Sequence, residues 1–297
     1  MGADQELDAN ADRFSGFAGL YDAVRPDPPA DLAEVLTAYV GGRADVVVDL
    51  GCGTGLSSRW ASAWAGSVVG VEPSDDMRRA AQEQPRPNLR YVEGFGHDAG
   101  LPNGSADVVV AVQAFHWMEP ASTLTEVARL LRPGGLFAAI DCDWPPTVGS
   151  SEAEAAWTRC QDHLRALEIR LAAGATVDEL RRTPISERSD AGTDRHRRLA
   201  RGVRSWPKSD HLANLERSGA FAWCHEVVAH RLDTGNAERF VELLRSQGDY
   251  QSLVRAGLED ETLGVEDLRR VAQRQLGPSP RPWIFSYRTR LGVTRRC

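Results

Sequence analysis

Short apolar runs alternate with amphipathic stretches through the first half of the chain. Residues 45–50, 68–72, 89–93, 107–113 and 136–141 are dominated by valine, alanine, leucine and other apolar residues with little polar interruption. Runs of this kind predict strands buried on both faces, as in a parallel sheet. Residues 56–65, 74–84 and 121–131 instead carry apolar positions at helical spacing, and Pro85 and Pro133-Gly134-Gly135 stop the last two. An earlier helix is expected over 31–40, with Asp31 as its N-cap and Gly41-Gly42 as its end. Regular alternation of strand and helix predicts a doubly wound α/β fold with helices on both faces of a mostly parallel sheet.

The alternation breaks after residue 144. Ser151 is placed to cap a helix whose Trp157, Cys160, Leu164, Leu167 and Leu171 follow three-four spacing, and Gly174 closes it. Residues 175–210 are arginine-rich and weakly patterned. Strand-like residues 224–232, helices at 237–246 and 265–275, and a strand at 283–294 then bring the sheet to seven strands. The expected organisation is an N-terminal cover at 1–30, an α/β binding core at 31–144, a mainly helical insertion at 145–218, and a C-terminal portion at 219–297 that completes the sheet. The insertion and the cover, whose Phe14, Phe17, Leu20 and Tyr21 have roughly helical spacing, are expected to close over a substrate.

Composition narrows the function. With 42% apolar and 26% charged residues the chain has material for a core. A net charge of −7 disfavours nucleic acid as a partner, because phosphate backbones attract cationic faces. The five cysteines lack metal-ligand spacing, so neither a metal site nor a disulfide framework is expected, and a reducing cytoplasm is the default. The first residues are acidic where a signal peptide would be basic and apolar, and no apolar run approaches the ~18 residues of a membrane span. One feature is unusual: Lys208 is the only lysine among the 35 basic residues. GC-rich coding accounts for the general preference, and individual arginines remain candidate anion ligands.

The densest signal is Val46-Val47-Val48-Asp49-Leu50-Gly51-Cys52-Gly53-Thr54-Gly55, a strand entering a glycine turn that opens a helix. Glycines let backbone approach a ligand closely, and a helix N-terminus favours negative charge. The dinucleotide fingerprint needs its third glycine at the sixth position, where Leu56 stands, so no pyrophosphate turn is spelled out.

Four ordered motifs together resemble the class I S-adenosylmethionine-dependent methyltransferases, in the small-molecule group that includes trans-aconitate methyltransferase-like proteins. Asp49–Gly55 resembles the first motif, and Val69-Gly70-Val71-Glu72-Pro73-Ser74 the second. Ala114-Phe115-His116-Trp117-Met118 is similar to the segment after strand four, and Leu130-Leu131-Arg132-Pro133-Gly134-Gly135-Leu136 to the turn before strand five. The cover (Arg13-Phe14-Ser15 to Arg25-Pro26) and Gln247 with Tyr287-Arg288-Thr289-Arg290 are also similar to that group.

The resemblance implies S-adenosyl-L-methionine as cofactor, S-adenosyl-L-homocysteine as product, and a small-molecule substrate. Glu72 is expected to accept hydrogen bonds from the ribose diol. Gly51, Gly53 and Gly55 pack against the cofactor's amino-acid end, while Asp49 anchors the loop and reaches the ammonium. Phe95 stands where the group commonly has an acid, which leaves Asp98, or backbone at Gly96 and His97, for the adenine. Gln113 lies beside the methyl group, and Arg25 is a partner for the cofactor's carboxylate. His116 is the candidate general base. Phe14, Trp117 and Tyr21 are candidates to face the sulfonium or a planar substrate, and Trp144 joins Phe14, His116 and Trp117 as a substrate contact.

The reaction read from this set is methyl transfer to an O, N or C nucleophile, driven mainly by alignment and exclusion of water. The rivals are a same-fold protein that binds the cofactor but catalyses a non-methylating reaction, a nicotinamide oxidoreductase, and a macromolecule methyltransferase.

Overall fold

The computed structural model describes residues 18–185, 197–198 and 204–295. Seven strands form one sheet: β1 (Val46–Leu50), β2 (Ser67–Val71), β3 (Leu89–Val92), β4 (Ala106–Val112), β5 (Leu131–Cys142), β6 (Phe221–Gly235) and β7 (Arg281–Thr294), in the order β3-β2-β1-β4-β5-β7-β6. Strands β1 to β5 pair in parallel, and β7 runs antiparallel to β5 from Leu136↔Val293 to Cys142↔Tyr287. The expected mostly parallel, seven-stranded sheet is therefore present, because Val47, Val48, Leu50, Val108, Val109, Val110 and Phe137–Ile140 are all buried.

The helices are α1 (Ala18–Val24), α2 (Ala30–Tyr39), α3 (Leu56–Ser62), α4 (Asp75–Gln82), α5 (Pro120–Leu130), α6 (Ser151–Ala172), α7 (Val177–Arg181), α8 (His211–Ser218), α9 (Ala237–Arg245), α10 (Gly248–Arg255) and α11 (Val265–Gln275). The chain passes from β1 outward to β3 and then returns to place β4 on the other side of β1. That reversal opens a crevice at the carboxyl ends of β1 and β4, where doubly wound folds bind ligands.

Several boundaries differ from the sequence reading for local reasons. Helix α2 begins at Ala30 behind Pro29, so Asp31 lies in its first turn instead of capping it. Ser150, not Ser151, caps α6, with its hydroxyl accepting from the Ala153 N–H. Pro133-Gly134-Gly135 does not separate helix from strand. Leu131 already pairs with Ala106, and the next pairing on the same strand is Val108↔Leu136, so the Pro-Gly-Gly segment is an irregularity inside β5. The sequence pattern places no individual helix at α7, α8 or α10, which lack long periodic runs.

The chain divides into two compact units. One holds residues 27–143, 205–231 and 286–295, and contains β1 to β5, α2 to α5 and α8. The other holds residues 18–26, 144–185 and 232–285 and is mainly helical. Its core is aromatic, with Trp157, Phe240 and Trp283 in contact at ring-centroid distances of 4.9 and 5.9 Å. Among the described residues, no helix is long and apolar enough to cross a membrane.

Candidate active site

The glycine turn after β1 is tied to the end of β2, since Gly51 and Cys52 both donate backbone N–H groups to the Val71 carbonyl. Its glycines do different jobs. A Cβ on Gly51 would meet Ala114 Cβ and Met118 Cε at 2.8 Å, and one on Gly55 would meet the Tyr91 hydroxyl. Those two positions are closed by the protein's own packing. Gly53 (φ +54°) faces open space, so it is the glycine in front of which a ligand has room.

Two buried carboxylates lie under this turn. Glu72, just beyond β2, accepts one backbone N–H on each oxygen, from Gly53 and from Ser74, both at 3.0 Å. A carboxylate has about four lone-pair sites, which leaves two for further donors. Burial raises its pKa, and the two N–H bonds oppose that rise. Asp49 near the end of β1 is fully buried, and its Oδ2 accepts from the Ser57 and Ser58 hydroxyls at 2.7 and 2.6 Å. Its Oδ1 has no hydrogen-bond partner among the described residues. Burial pushes the Asp49 pKa up to about 6 against those two hydroxyl bonds. A buried oxygen that lacks a donor, beside an open glycine, fits the ammonium of an amino-acid-bearing cofactor. Glu72 fits a diol.

The loop after β3 folds on itself, with Phe95 and Asp98 exchanging backbone hydrogen bonds. The Asp98 carboxylate is exposed and accepts from Gly100 N, so it serves this turn. At the tip, Gly96 lies against Met118, whose sulfur a Cβ on Gly96 would strike at 2.6 Å, and the His97 ring lies 5.4 Å from that of Phe95.

At the carboxyl ends of β4 and β5 stands a second cluster. Asp141, 2% exposed, has His116 Nδ1 at 3.3 Å and Lys208 Nζ at 3.2 Å from Oδ1. Arg290 lies at 3.0 Å and His211 Nε2 at 3.5 Å from Oδ2. Lys208, the coulombic partner opposing burial, together with His116 and His211, holds the Asp141 carboxyl well below the usual carboxylate range. Burial drives fully enclosed His211 down to about 3, so it is neutral. Gln113, at φ +54° just past β4, joins the group by accepting from Lys208 Nζ at 2.7 Å. A non-glycine residue held at that φ costs energy and marks sites where the surroundings over-determine the backbone. Trp117 packs its ring 4.9 Å from that of His116, and the His116 carbonyl accepts from Trp206 N.

The other predicted residues lie elsewhere. Tyr21, Arg25 and Trp144 belong to the helical unit, where the Arg25 guanidinium lies 4.8 Å from the Tyr21 ring centroid and 4.7 Å from that of Trp144. Arg25 also donates to the Ser246 hydroxyl and carbonyl. Within that unit, then, its charge is already engaged. Trp144 stacks on Trp157 at 6.0 Å. Phe14 lies outside the described residues.

Sequence reasoning brought Asp49, Gly53, Glu72, Gln113, His116 and Trp117 to the site, but gave no role to Asp141, His211 or Arg290. His116, Asp141 and His211 place three ligand atoms within 4.8 Å, a metal-capable grouping that the cysteine-based reading did not raise. The one signal in the sequence is the solitary Lys208.

Residues 48–139 match the methyltransferase domain family. An uncharacterized methyltransferase of Mycobacterium tuberculosis is 36% identical over 131 residues, covering 43% of this chain and 51% of that protein. A trans-aconitate 2-methyltransferase of Azoarcus is 39% identical over 103 residues, 32% of this chain and 38% of that protein. The matched stretch thus spans about half, or less, of these relatives. Among solved structures, a candidate type II methyltransferase from Anaeromyxobacter dehalogenans superposes with a TM-score of 0.62 at 22% identity, over 92% of this chain and 99% of that one. The [4+2]-cyclase SpnF aligns with a TM-score of 0.50 at 13% identity, over 96% and 95%. At these identities the likeness is one of fold.

Proposed function

We propose that this chain, whose residues 48–139 match the methyltransferase domain family, is a class I S-adenosyl-L-methionine-dependent methyltransferase of a small-molecule acceptor. The observation that carries the reading is the cradle after β1: Asp49 with a buried oxygen lacking a donor, Gly53 opening onto space, and Glu72 with acceptor capacity in reserve. When bound, the cofactor supplies an electrophilic methyl group on a sulfonium with a good leaving group.

The chain's own residues then bind, orient and move a proton. Asp49 takes the ammonium and Glu72 the ribose diol. Backbone at Gly96 and His97, beside Met118, flanks the adenine, a role that Asp98 gives up to its turn. Gln113 and Trp117 border the transfer point. His116 removes a proton where the acceptor carries one, the usual task of an imidazole near neutral pH.

Calorimetry is the direct test. S-adenosylhomocysteine should bind in the micromolar range and NAD(H) should give no heat. Candidate acceptors should then gain the mass of one methylene with S-adenosylmethionine. Binding of NAD(H) with no S-adenosylhomocysteine heat would exclude the reading, whereas cofactor binding with a converted but unmethylated substrate would favour a same-fold, non-methylating enzyme, of which SpnF is a named example.

A further inference from the structure

Among 35 basic residues the chain uses arginine everywhere except at position 208. The structure places that one lysine, about one-third exposed, at the carboxyl ends of β4 and β5, with its ammonium on Gln113 Oε1 and Asp141 Oδ1. The Gln113 contact is a hydrogen bond at 2.7 Å and the Asp141 contact an ion pair at 3.2 Å, so of the ammonium's three donors at least one N–H remains to be turned elsewhere. The same Asp141 oxygen faces His116 Nδ1. A carboxylate 3.3 Å from Nδ1 favours the tautomer with its proton on that nitrogen, in which Nε2 is the basic one.

We propose that Lys208 and His116, both held on Oδ1 of Asp141, form the receiving site for a hydroxyl acceptor, so that the reaction is O-methylation of a phenol, enol or alcohol. This rests on the methyl-transfer reading of the Asp49–Glu72 cradle. The remaining Lys208 N–H binds the acceptor oxygen and favours its ionised form, while His116 Nε2 takes the proton. The oxygen's electron pair forms the O–CH₃ bond as the C–S bond of the sulfonium breaks, and that bond's electrons stay on sulfur as a neutral thioether. The imidazolium, stabilised by Asp141, later returns the proton to solvent.

Other acceptors fit this charge pattern less well. An amine arriving as ammonium would meet Lys208 in like charge, and a carboxylate is already ionised and needs no base. A divalent metal on His116, Asp141 and His211 would compete with Lys208 and Arg290, each of which already occupies one Asp141 oxygen. Arg290 is itself balanced by Glu226 at 2.8 Å, so the fixed charges of the cluster are paired before any ligand arrives. Lysine also suits the task better than arginine would, because a compact ammonium can turn one donor onto a single oxygen while a planar fork matches two.

The single lysine makes the test clean. Protein labelled with [¹⁵N]lysine has one side-chain ammonium, which can be followed by NMR in protein saturated with S-adenosylhomocysteine while phenol, benzoate and benzylamine are added in turn. A saturable shift with phenol supports the proposal, whether or not benzoate also binds. A shift with benzoate or benzylamine and none with phenol, or with none of the three, overturns it. In Lys208→Met, phenol affinity read by tryptophan fluorescence should fall about 10-fold with S-adenosylhomocysteine affinity unchanged. Parallel loss of both affinities would mean that Lys208 only supports the fold, and would also overturn it. If wild type does not bind S-adenosylhomocysteine in calorimetry, the methyl-transfer reading itself fails and this proposal falls with it.

Discussion

Two aspartates near the carboxyl ends of strands in the same sheet, Asp49 on β1 and Asp141 on β5, are equally buried and oppositely tuned. Asp49 is surrounded by hydroxyls, and with one oxygen lacking a donor its pKa is pushed up to about 6. Asp141 is ringed by Lys208, Arg290, His116 and His211 and stays ionised far into acid. Burial acts alike on both, so the difference comes from their neighbours. Among the described residues the first site lacks a cation, and it is shaped to receive one from a ligand. The second already holds its cations and offers what they leave over to an oxygen.

The largest expected contrast is in stability. Asp141→Asn leaves Arg290 and Lys208 without their shared counter-charge and should cost about 3–5 kcal/mol in urea unfolding. Asp49→Asn removes a carboxylate that burial penalises and should change the apo protein by less than about 1 kcal/mol. Equal losses in the two variants would erase the distinction.

Ligand binding should show the reverse ranking. Glu72→Ala, in a folded protein, should weaken S-adenosylhomocysteine by about 2–4 kcal/mol, because two charge-assisted bonds to the ribose are lost. Calorimetry that finds wild-type affinity would mean the cradle is misplaced.

Acid should separate the aspartates by sign. The Asp49 pKa is raised on folding, so the folded state holds that proton more tightly, and this group's contribution to stability declines as pH rises from about 4 to about 6. The Asp141 pKa is lowered, so its contribution is present above the ordinary carboxylate pKa and lost as pH falls below it. Because an ammonium prefers ionised Asp49, S-adenosylhomocysteine affinity should tighten about 10-fold between pH 5 and pH 7.5. The Asp49→Asn variant should flatten that profile. A profile unchanged by the substitution would assign the titration to another group, with Glu72 the first to test.

The smallest effect sharpens the roles of the glycines. Gly53→Ala meets no neighbouring atom but holds a side chain at φ +54°, and should cost about 1 kcal/mol of thermal stability. Its methyl group projects where the ligand is placed, so S-adenosylhomocysteine should weaken as well. Gly55→Ala adds a collision with the Tyr91 hydroxyl and should lose more stability. If the two melt alike, Tyr91 has room to move.

Chain-local patterns specify the sheet and the turn after β1. Buried parallel strands need continuous apolar runs, and a backbone that approaches a ligand at positive φ needs glycine, so both leave local marks that neighbours in the chain can reveal. Asp49, Gly53 and Glu72 lie within 24 residues of one another for the same reason: one β-turn-α-β unit builds that cradle. The cluster around Asp141 left no such mark. In the sequence Gln113 and His116 stand as the methyl-side and general-base candidates and Arg290 ends a family-like segment, while Asp141 is only the last residue of a predicted strand and His211 one residue of the insertion, and nothing local joins the five. They meet because the sheet order sets β7 beside β5 and α8 follows Trp206 and Lys208 onto the segment after β4. Their charges make sense only as a set, since a buried carboxylate is tolerable when cations surround it and each buried cation when the carboxylate is there. That mutual dependence is a property of three-dimensional proximity, and tertiary structure alone decided it.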